Sequence, residues 1–304
     1  MSMSSAAPKR GIWAAVSAYA LWGLLPLYWK ALHDVPARHI LAHRIVWSCV
    51  VLAGLIVIRR EWKVLGAAIR HTRTLLIYLV AAILLALNWF TYIWAVNSDR
   101  IVESSLGYYI NPLVSVVLGV VVLRERLRRL QWLAVLGAGC GVLYLTLHYG
   151  QFPWLALALA MSFGLYGLMK KTAPLPALPG LMIETAMLLL PAVAYLVWLE
   201  RTGPGAFGTG GGGRTVLLVL SGGVTVLPLL LFAQAARQVR LSTMGVLQYI
   251  SPSLGLTIGV MVYGEPFPRP RMVGFAIIWA SLLTYWMEGV WRSRVALKSR
   301  ESLR

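Results

Sequence analysis

The stretch YYINPLVSVVLGVVVLRE, Tyr108–Glu125, returns later in the chain as QYISPSLGLTIGVMVYGE, Gln248–Glu265. The register between the two copies is constant and needs no gap. Tyr109-Ile110-Asn111-Pro112 falls on Tyr249-Ile250-Ser251-Pro252, Gly119 on Gly259 and Glu125 on Glu265. Outside the stretch, Arg100 falls on Arg240. Each match is weak alone, but together, at one spacing, they mark a duplication.

Working outward, the chain divides into apolar runs long enough to cross a bilayer, which takes about 20 residues each. They cover 11–29, 38–58, 74–95, 104–123, 131–148, 152–169, 178–199, 215–236, 242–262 and 271–290. The shortest break, His148–Gln151, predicts a tight helical hairpin between the fifth and sixth runs. The longest, Arg201–Arg214, is Gly-rich and reads as a tether, since no strand-loop-helix context makes it a phosphate cradle. The first run follows Lys9 and Arg10, but no small-residue cleavage site ends it, so it reads as a retained span.

The offset between the two copies covers five runs. Five is odd, so the second copy crosses the membrane in the opposite sense. The expected fold class is therefore an all-α integral membrane protein of ten transmembrane helices, arranged as two inverted five-helix repeats over 1–149 and 150–304. Inverted repeats of this kind build secondary transporters, with a site near the midplane between the halves. The plainer alternative is a duplicated scaffold with no transport role.

Composition agrees with lipid as the solvent. Of 304 residues, 59% are hydrophobic and 12% charged, against about half and a quarter in soluble domains. The net charge of +18 would suit a nucleic-acid partner, but the Lys and Arg residues sit in short breaks between apolar runs and form no basic face. With the N-terminus inside, twenty of them fall in cytoplasmic segments and seven on the outer side, Arg38 and Arg271 at run ends among them; Arg44 alone lies in the interior of a run. That bias predicts an inner-membrane, multi-pass protein with both termini cytoplasmic. Cys49 and Cys140 both lie in apolar runs and read as packing residues, so neither a disulfide framework nor a metal site is expected.

Polar residues inside spans are costly and turn toward the bundle interior. Here they are His43, Arg44, Asn88, Asn111, Glu184, Gln234 and Gln248, with Trp22 and Trp89 also deep. Pro112 and Pro252 each remove a helical N–H mid-span, predicting kinks that free the carbonyls of Tyr108 and Gln248. The shift that aligns Trp22-Gly23 with Phe163-Gly164 also brings His43 onto Glu184. Arg44 and Glu184 each lie about six residues from opposite span ends, so about 12 Å separates their depths in a core of about 30 Å. They read as two polar stations, one toward each gate, rather than as one ion pair. Arg44 would attract an anionic or zwitterionic substrate, and Glu184 a proton or an amine. The plainer readings are a snorkelling Arg44 and a Glu184 bonded to a neighbouring Ser, Thr or Tyr. His43 reads as a proton carrier or as a helix–helix hydrogen bonder. Trp13, Trp62, Trp132, Tyr149, Trp154, Trp198 and Trp291 lie near span ends as an interfacial belt. Trp22, Trp89 and Tyr92 lie deeper, where they could stack on a substrate. The run Gly137-Ala138-Gly139-Cys140-Gly141 is a packing surface, between the halves or between protomers of a homodimer.

Several stretches resemble the RarD-type proteins of the EamA-like drug/metabolite transporter superfamily. They are AYALWGLLPLYWK (Ala18–Lys30), HRIVWS (His43–Ser48), NWFTYIWAVN (Asn88–Asn97), ESSLGYYINP (Glu103–Pro112), QWLA (Gln131–Ala134), IET (Ile183–Thr185), LST (Leu241–Thr243), QYISP (Gln248–Pro252) and YGE (Tyr263–Glu265). They run nearly end to end; the Gly-rich stretch Gly208–Gly213 departs from the pattern. The resemblance implies export or exchange of small metabolites or drugs across the bacterial inner membrane, and the founding name is associated with chloramphenicol sensitivity. It implies a central cavity between the halves, lined here by Trp22, Asn88, Trp89, Tyr108, Asn111, Gln234, Gln248 and Tyr249. His43, Arg44 and Glu184 then become gate or coupling candidates.

The expected partners are a small-molecule substrate and the lipid bilayer, without nucleic acid. No cofactor is expected: a Walker-type loop is absent, as are HExxH and GxSxG, so an ATPase or a membrane enzyme is disfavoured. A non-transporting receptor or assembly factor on the same scaffold is the remaining alternative.

Overall fold

The structure is a computed structural model that describes residues 6–97, 101–150, 152–203, 212–264 and 267–301. Arg100, Glu265 and most of the Gly-rich segment after Arg201 lie outside the described residues. Twelve helices make up the described chain: α1 (Ala6–Lys30), α2 (Ala37–Arg59), α3 (Trp62–Ile69), α4 (Thr72–Asn97), α5 (Ile101–Val121), α6 (Arg129–Tyr149), α7 (Trp154–Thr172), α8 (Ala177–Thr202), α9 (Gly212–Gln238), α10 (Leu241–Gln248), α11 (Ile250–Met261) and α12 (Arg269–Glu301). A helix lies over each of the ten apolar runs. Seven are long and apolar enough to cross a membrane, and Leu106–Val121 is a shorter apolar helix.

Helix limits follow local chemistry. Pro36 and Pro176 stand just before α2 and α8, where a missing N–H costs nothing. α6 stops at Gly150 in the left-handed conformation (φ 76°), the usual conformation for a helix-ending glycine. Two details differ from the sequence expectation. The charged break after α2 contains a helix of its own, α3, because Ala68 is buried in a cluster with Tyr78 and Ile183 while Trp62 and Ile69 stay exposed. The ninth run is split between α10 and α11 at Tyr249, just ahead of Pro252. Pro252 has no N–H to give the Gln248 carbonyl, and the Tyr249 N–H turns tightly to the Val246 carbonyl at 3.3 Å. α5, by contrast, runs through Pro112 unbroken.

The packing comes in matched pairs. α1 lies on α9 and α11, and α7 lies on α4 and α5. α2 packs on α8 and α9, α4 on α7 and α8, α5 on α10, and α6 on α12. Glycines permit close approaches. A Cβ on Gly23 would sit 2.7 Å from the Leu254 Cβ and 2.9 Å from the Ser251 carbonyl oxygen. A Cβ on Gly164 would sit 2.7 Å from the Val114 Cγ1. The largest apolar cluster joins α1, α2, α4 and α7 to α8, α9 and α10 through Tyr19, Leu52, Leu85, Tyr166, Leu181, Phe232 and Met244. A second joins α5, α6, α7 and α12. Outward positions such as Ile58, Leu190 and Met261 are exposed and apolar, as lipid requires. The chain is thus a multi-pass membrane protein.

The α2–α9 contact tests this packing. A Cβ at Gly222 would overlap the Trp47 backbone, whereas Gly54 faces open space. Gly222→Leu is expected to cost about 1–3 kcal/mol or more through overpacking, lowering the melting temperature in detergent and broadening the size-exclusion peak. Gly54→Leu should leave both unchanged.

Candidate functional site

One end of the bundle holds a recess. It is formed where α1 and α4 finish, where α2 and α5 begin, and beside the middle of α9. Arg44, on the second turn of α2, points into it. Its Nε donates to the Thr225 Oγ1 of α9 at 2.9 Å. Its guanidinium lies 4.8 Å from the Trp29 ring and 4.7 Å from the Trp89 ring, within the range where an aromatic face attracts a cation. The hydroxyls of Tyr28, Tyr92 and Tyr108 are near enough to feel its charge. Tyr92 and Tyr108 meet at 5.9 Å between ring centroids. Although they sit among helices, they are 37% and 43% exposed, so space opens beside them.

Below the recess lies an aromatic floor. Trp22 meets Phe163 edge-on at 5.6 Å and Phe232 at 5.5 Å, and Tyr166 stacks on Phe232 at 5.9 Å. Asn88 is committed to holding α4 against α7, donating to the Leu159 carbonyl (2.9 Å) and the Ser162 hydroxyl (3.0 Å). Tyr249 is buried and donates to the Tyr109 carbonyl at 3.2 Å. Asn111 and Gln248 are also buried, and the Asn111 Oδ1 has no hydrogen-bond partner. Gln234 is exposed on α9. Of the eight cavity candidates, then, Trp89 and Tyr108 meet at Arg44, Trp22 lies in the floor, and the others sit in helix contacts or apart.

The opposite end of the bundle is closed. The backbone N–H groups of Leu241 and Ser242, at the start of α10, donate to the two carboxylate oxygens of Glu125 at 2.7 and 2.9 Å. The Ser242 hydroxyl adds a bond at 2.5 Å. An anion capping the first N–H groups of a helix is favoured by both the hydrogen bonds and the helix dipole. Arg240 donates across to the Arg126 carbonyl. The Lys171 ammonium donates to the Val239 carbonyl and lies within electrostatic reach of Glu125. Arg128 pairs with Glu288 at 2.8 Å.

Nearby, Glu184 of α8 is fully buried and pairs with the equally buried Lys170 of α7 at 2.8 Å. The Tyr166 hydroxyl donates to its other oxygen at 3.3 Å. By sequence Lys170 falls in a loop; in the fold its ammonium turns back into the bundle, where only a carboxylate partner makes a buried cation tolerable. Arg44 and Glu184 therefore have separate partners. A narrow cleft lined by Ser48, Trp89, Glu184, Thr185 and Thr225 lies between the two stations. His43 and His39, one helical turn apart on α2, are both buried; the His39 ring lies 6.0 Å from the Tyr195 ring of α8. His43 is thus on the α2 face toward α8, not in the recess. No group of three or more metal-ligating side chains occurs among the described residues.

Comparison with known proteins agrees with this architecture. Residues 9–147 match the EamA-like transporter family. An uncharacterized transporter of Bacillus subtilis, YojE, is 46% identical over 286 residues, covering 93% of this chain and 95% of its own. The protein RarD of Escherichia coli is 41% identical over 96% of this chain and 99% of its own length. The chain belongs to the EamA-like transporter family, as a RarD-type protein. Its kind is a transporter and not an enzyme. One crystal structure shares the fold at a TM-score of 0.66 with 17% identity, spanning 90% of this chain and 96% of its own.

Sequence reasoning missed Thr225, Trp29 and Lys170. Thr225 is one of many small polar residues in spans, and nothing local marks it. Trp29 is the residue before Lys30 and resembles an interfacial belt residue. Lys170 is hidden by its neighbour Lys171, since a Lys pair at a helix end usually faces water.

The ion pair gives a clean test. Removing one partner from a buried pair leaves an uncompensated charge, at a cost of about 3–5 kcal/mol. Glu184→Gln should therefore melt well below the wild type in detergent. The double variant Lys170→Met/Glu184→Gln should recover most of the loss. Equal melting of the single and double variants would show that the pair is not coupled.

Proposed function

We propose that the chain is a secondary transporter that moves small metabolites or drugs across the bacterial inner membrane, as an exporter or exchanger, by alternating access. Ten helices cross the bilayer as two inverted halves, 1–149 and 150–304, with α10 and α11 forming one crossing. The Lys and Arg bias puts both termini, and with them the closed end, in the cytoplasm; the recess then faces out.

The inverted arrangement is supported by contacts that recur at the repeat spacing. Gly23 packs on Leu254 and Gly164 on Val114; Gly164 is the counterpart of Gly23 and Val114 that of Leu254, so each contact is the repeat image of the other. Trp22 touches its own counterpart, Phe163. Tyr249 bonds the carbonyl of its own counterpart, Tyr109.

The observation that carries the reading is the inequality of equivalent positions. Tyr108 is 43% exposed in the recess, while Gln248, its match in the second copy, is 6% exposed. One path is open and its mate is shut. Exchange of these two environments is what alternating access requires. Glu125 locks the shut side by capping the start of α10.

Solute counterflow in proteoliposomes tests transport directly. With a panel of organic acids, amines, sugars and chloramphenicol, at least one solute class should exchange faster than in protein-free vesicles. No exchange from protein shown to be folded would favour a receptor role. The lock has its own readout. Charged hydrogen bonds contribute about 1.5–3 kcal/mol, so Glu125→Gln should speed amide hydrogen exchange at 241–245 by roughly ten- to a hundred-fold. Unchanged exchange would mean that the closed end does not depend on Glu125.

A further inference from the structure

We propose that the Arg44 recess selects organic monoanions, a single carboxylate carried on a flat apolar ring. The fate of the ligand rests on the transport reading; the site rests on its own geometry.

The guanidinium has two faces and an edge. Trp29 and Trp89 attract it at 4.8 and 4.7 Å, and Nε is taken by Thr225. The two terminal nitrogens have no protein acceptor among the described residues and are not sealed from the recess. They leave a two-pronged set of donors of the kind that matches a carboxylate. No described carboxylate pairs with Arg44: Glu184 is taken by Lys170, and Asp34 by Arg214. A cation held inside a membrane protein without an anion is expensive, and the aromatic rings offset only part of that cost. An incoming anion completes the site.

The charge count limits that anion. Lys30, the nearest other cation along α1, lies 3.7 Å over the Tyr263 ring and does not join Arg44. One positive charge balances one negative charge; a dianion such as a phosphate monoester would stay half-compensated. A zwitterion would need an acid for its ammonium, and none of the described acids faces Arg44. The remaining walls are aromatic. Tyr92 and Tyr108, partly exposed and in ring contact with each other, lie within electrostatic reach of the guanidinium and are suited to stacking on a planar body.

The test uses the purified full-length protein in detergent, with 2-naphthoate and its neutral match 2-naphthamide as probes, read by calorimetry. The acid should bind at least ten-fold more tightly than the amide. Arg44→Gln should abolish that preference, and Arg44→Lys should keep part of it. An amide that binds as well as the acid overturns the proposal, as does a preference that survives in Arg44→Gln. If Arg44→Gln does not fold, wild-type protein is treated with phenylglyoxal and Arg44 modification is read by mass spectrometry. Protection by the acid and not the amide supports the site; equal modification with either overturns it. Counterflow separates the two readings. Exchange of neutral or cationic solutes without acid binding would remove this site and leave transport standing. Acid binding with no exchange of any solute would leave the site and remove transport.

Discussion

Inside a bilayer a polar side chain must find its partner within the protein, and the longer ones find it on another helix, because no water is there to substitute. That constraint organises the molecule. Asn88 joins α4 to α7, Lys170 and Glu184 join α7 to α8, Arg44 joins α2 to α9, and the Ser48 hydroxyl reaches the Gly222 carbonyl between α2 and α9. Each bond fixes the rotation of two helices about their axes. Apolar packing then fills the space between them, and small residues let the closest pairs approach.

The polar groups are not spent evenly. At the closed end, Glu125 caps α10 with three hydrogen bonds, and Lys171 and Arg240 beside it are held by backbone carbonyls. At the recess end, Arg44 is held on one nitrogen and walled by rings. The first arrangement is saturated and the second is one anion short. In the transport reading this difference is the working asymmetry: the saturated end is a lock with a defined strength, and the unsaturated end is where a solute contributes the missing partner.

The aromatic floor separates the two ends. Trp22, Phe163, Tyr166 and Phe232 touch in a chain, and Trp22 and Phe163 come from positions that the repeat makes equivalent. Large rings that meet at varied angles, from edge-on to stacked, can change partners through side-chain rotation and small helix shifts. In the transport reading, such a layer suits a place where the halves move against each other.

The sequence by itself determined a membrane protein of apolar helices, because hydrophobic run length is a one-dimensional property, and the gapless spacing of its two YI-x-P stretches is legible in the same way. It also marked the expensive residues, Arg44, Glu184, Asn88 and Asn111, since charge or polarity within an apolar run is visible along the chain. Only the tertiary structure decided who meets whom. Lys170 and not Arg44 pairs with Glu184, because the ammonium folds back from a helix end into the bundle. Thr225 reaches Arg44 from the far half of the chain and Trp29 from the end of the preceding helix, and no local pattern announces either. The break at Tyr249 against the unbroken α5 is likewise visible only in the fold, since Pro112 and Pro252 read alike along the chain. Partner choice depends on helix rotation and depth, and those are set by every contact at once.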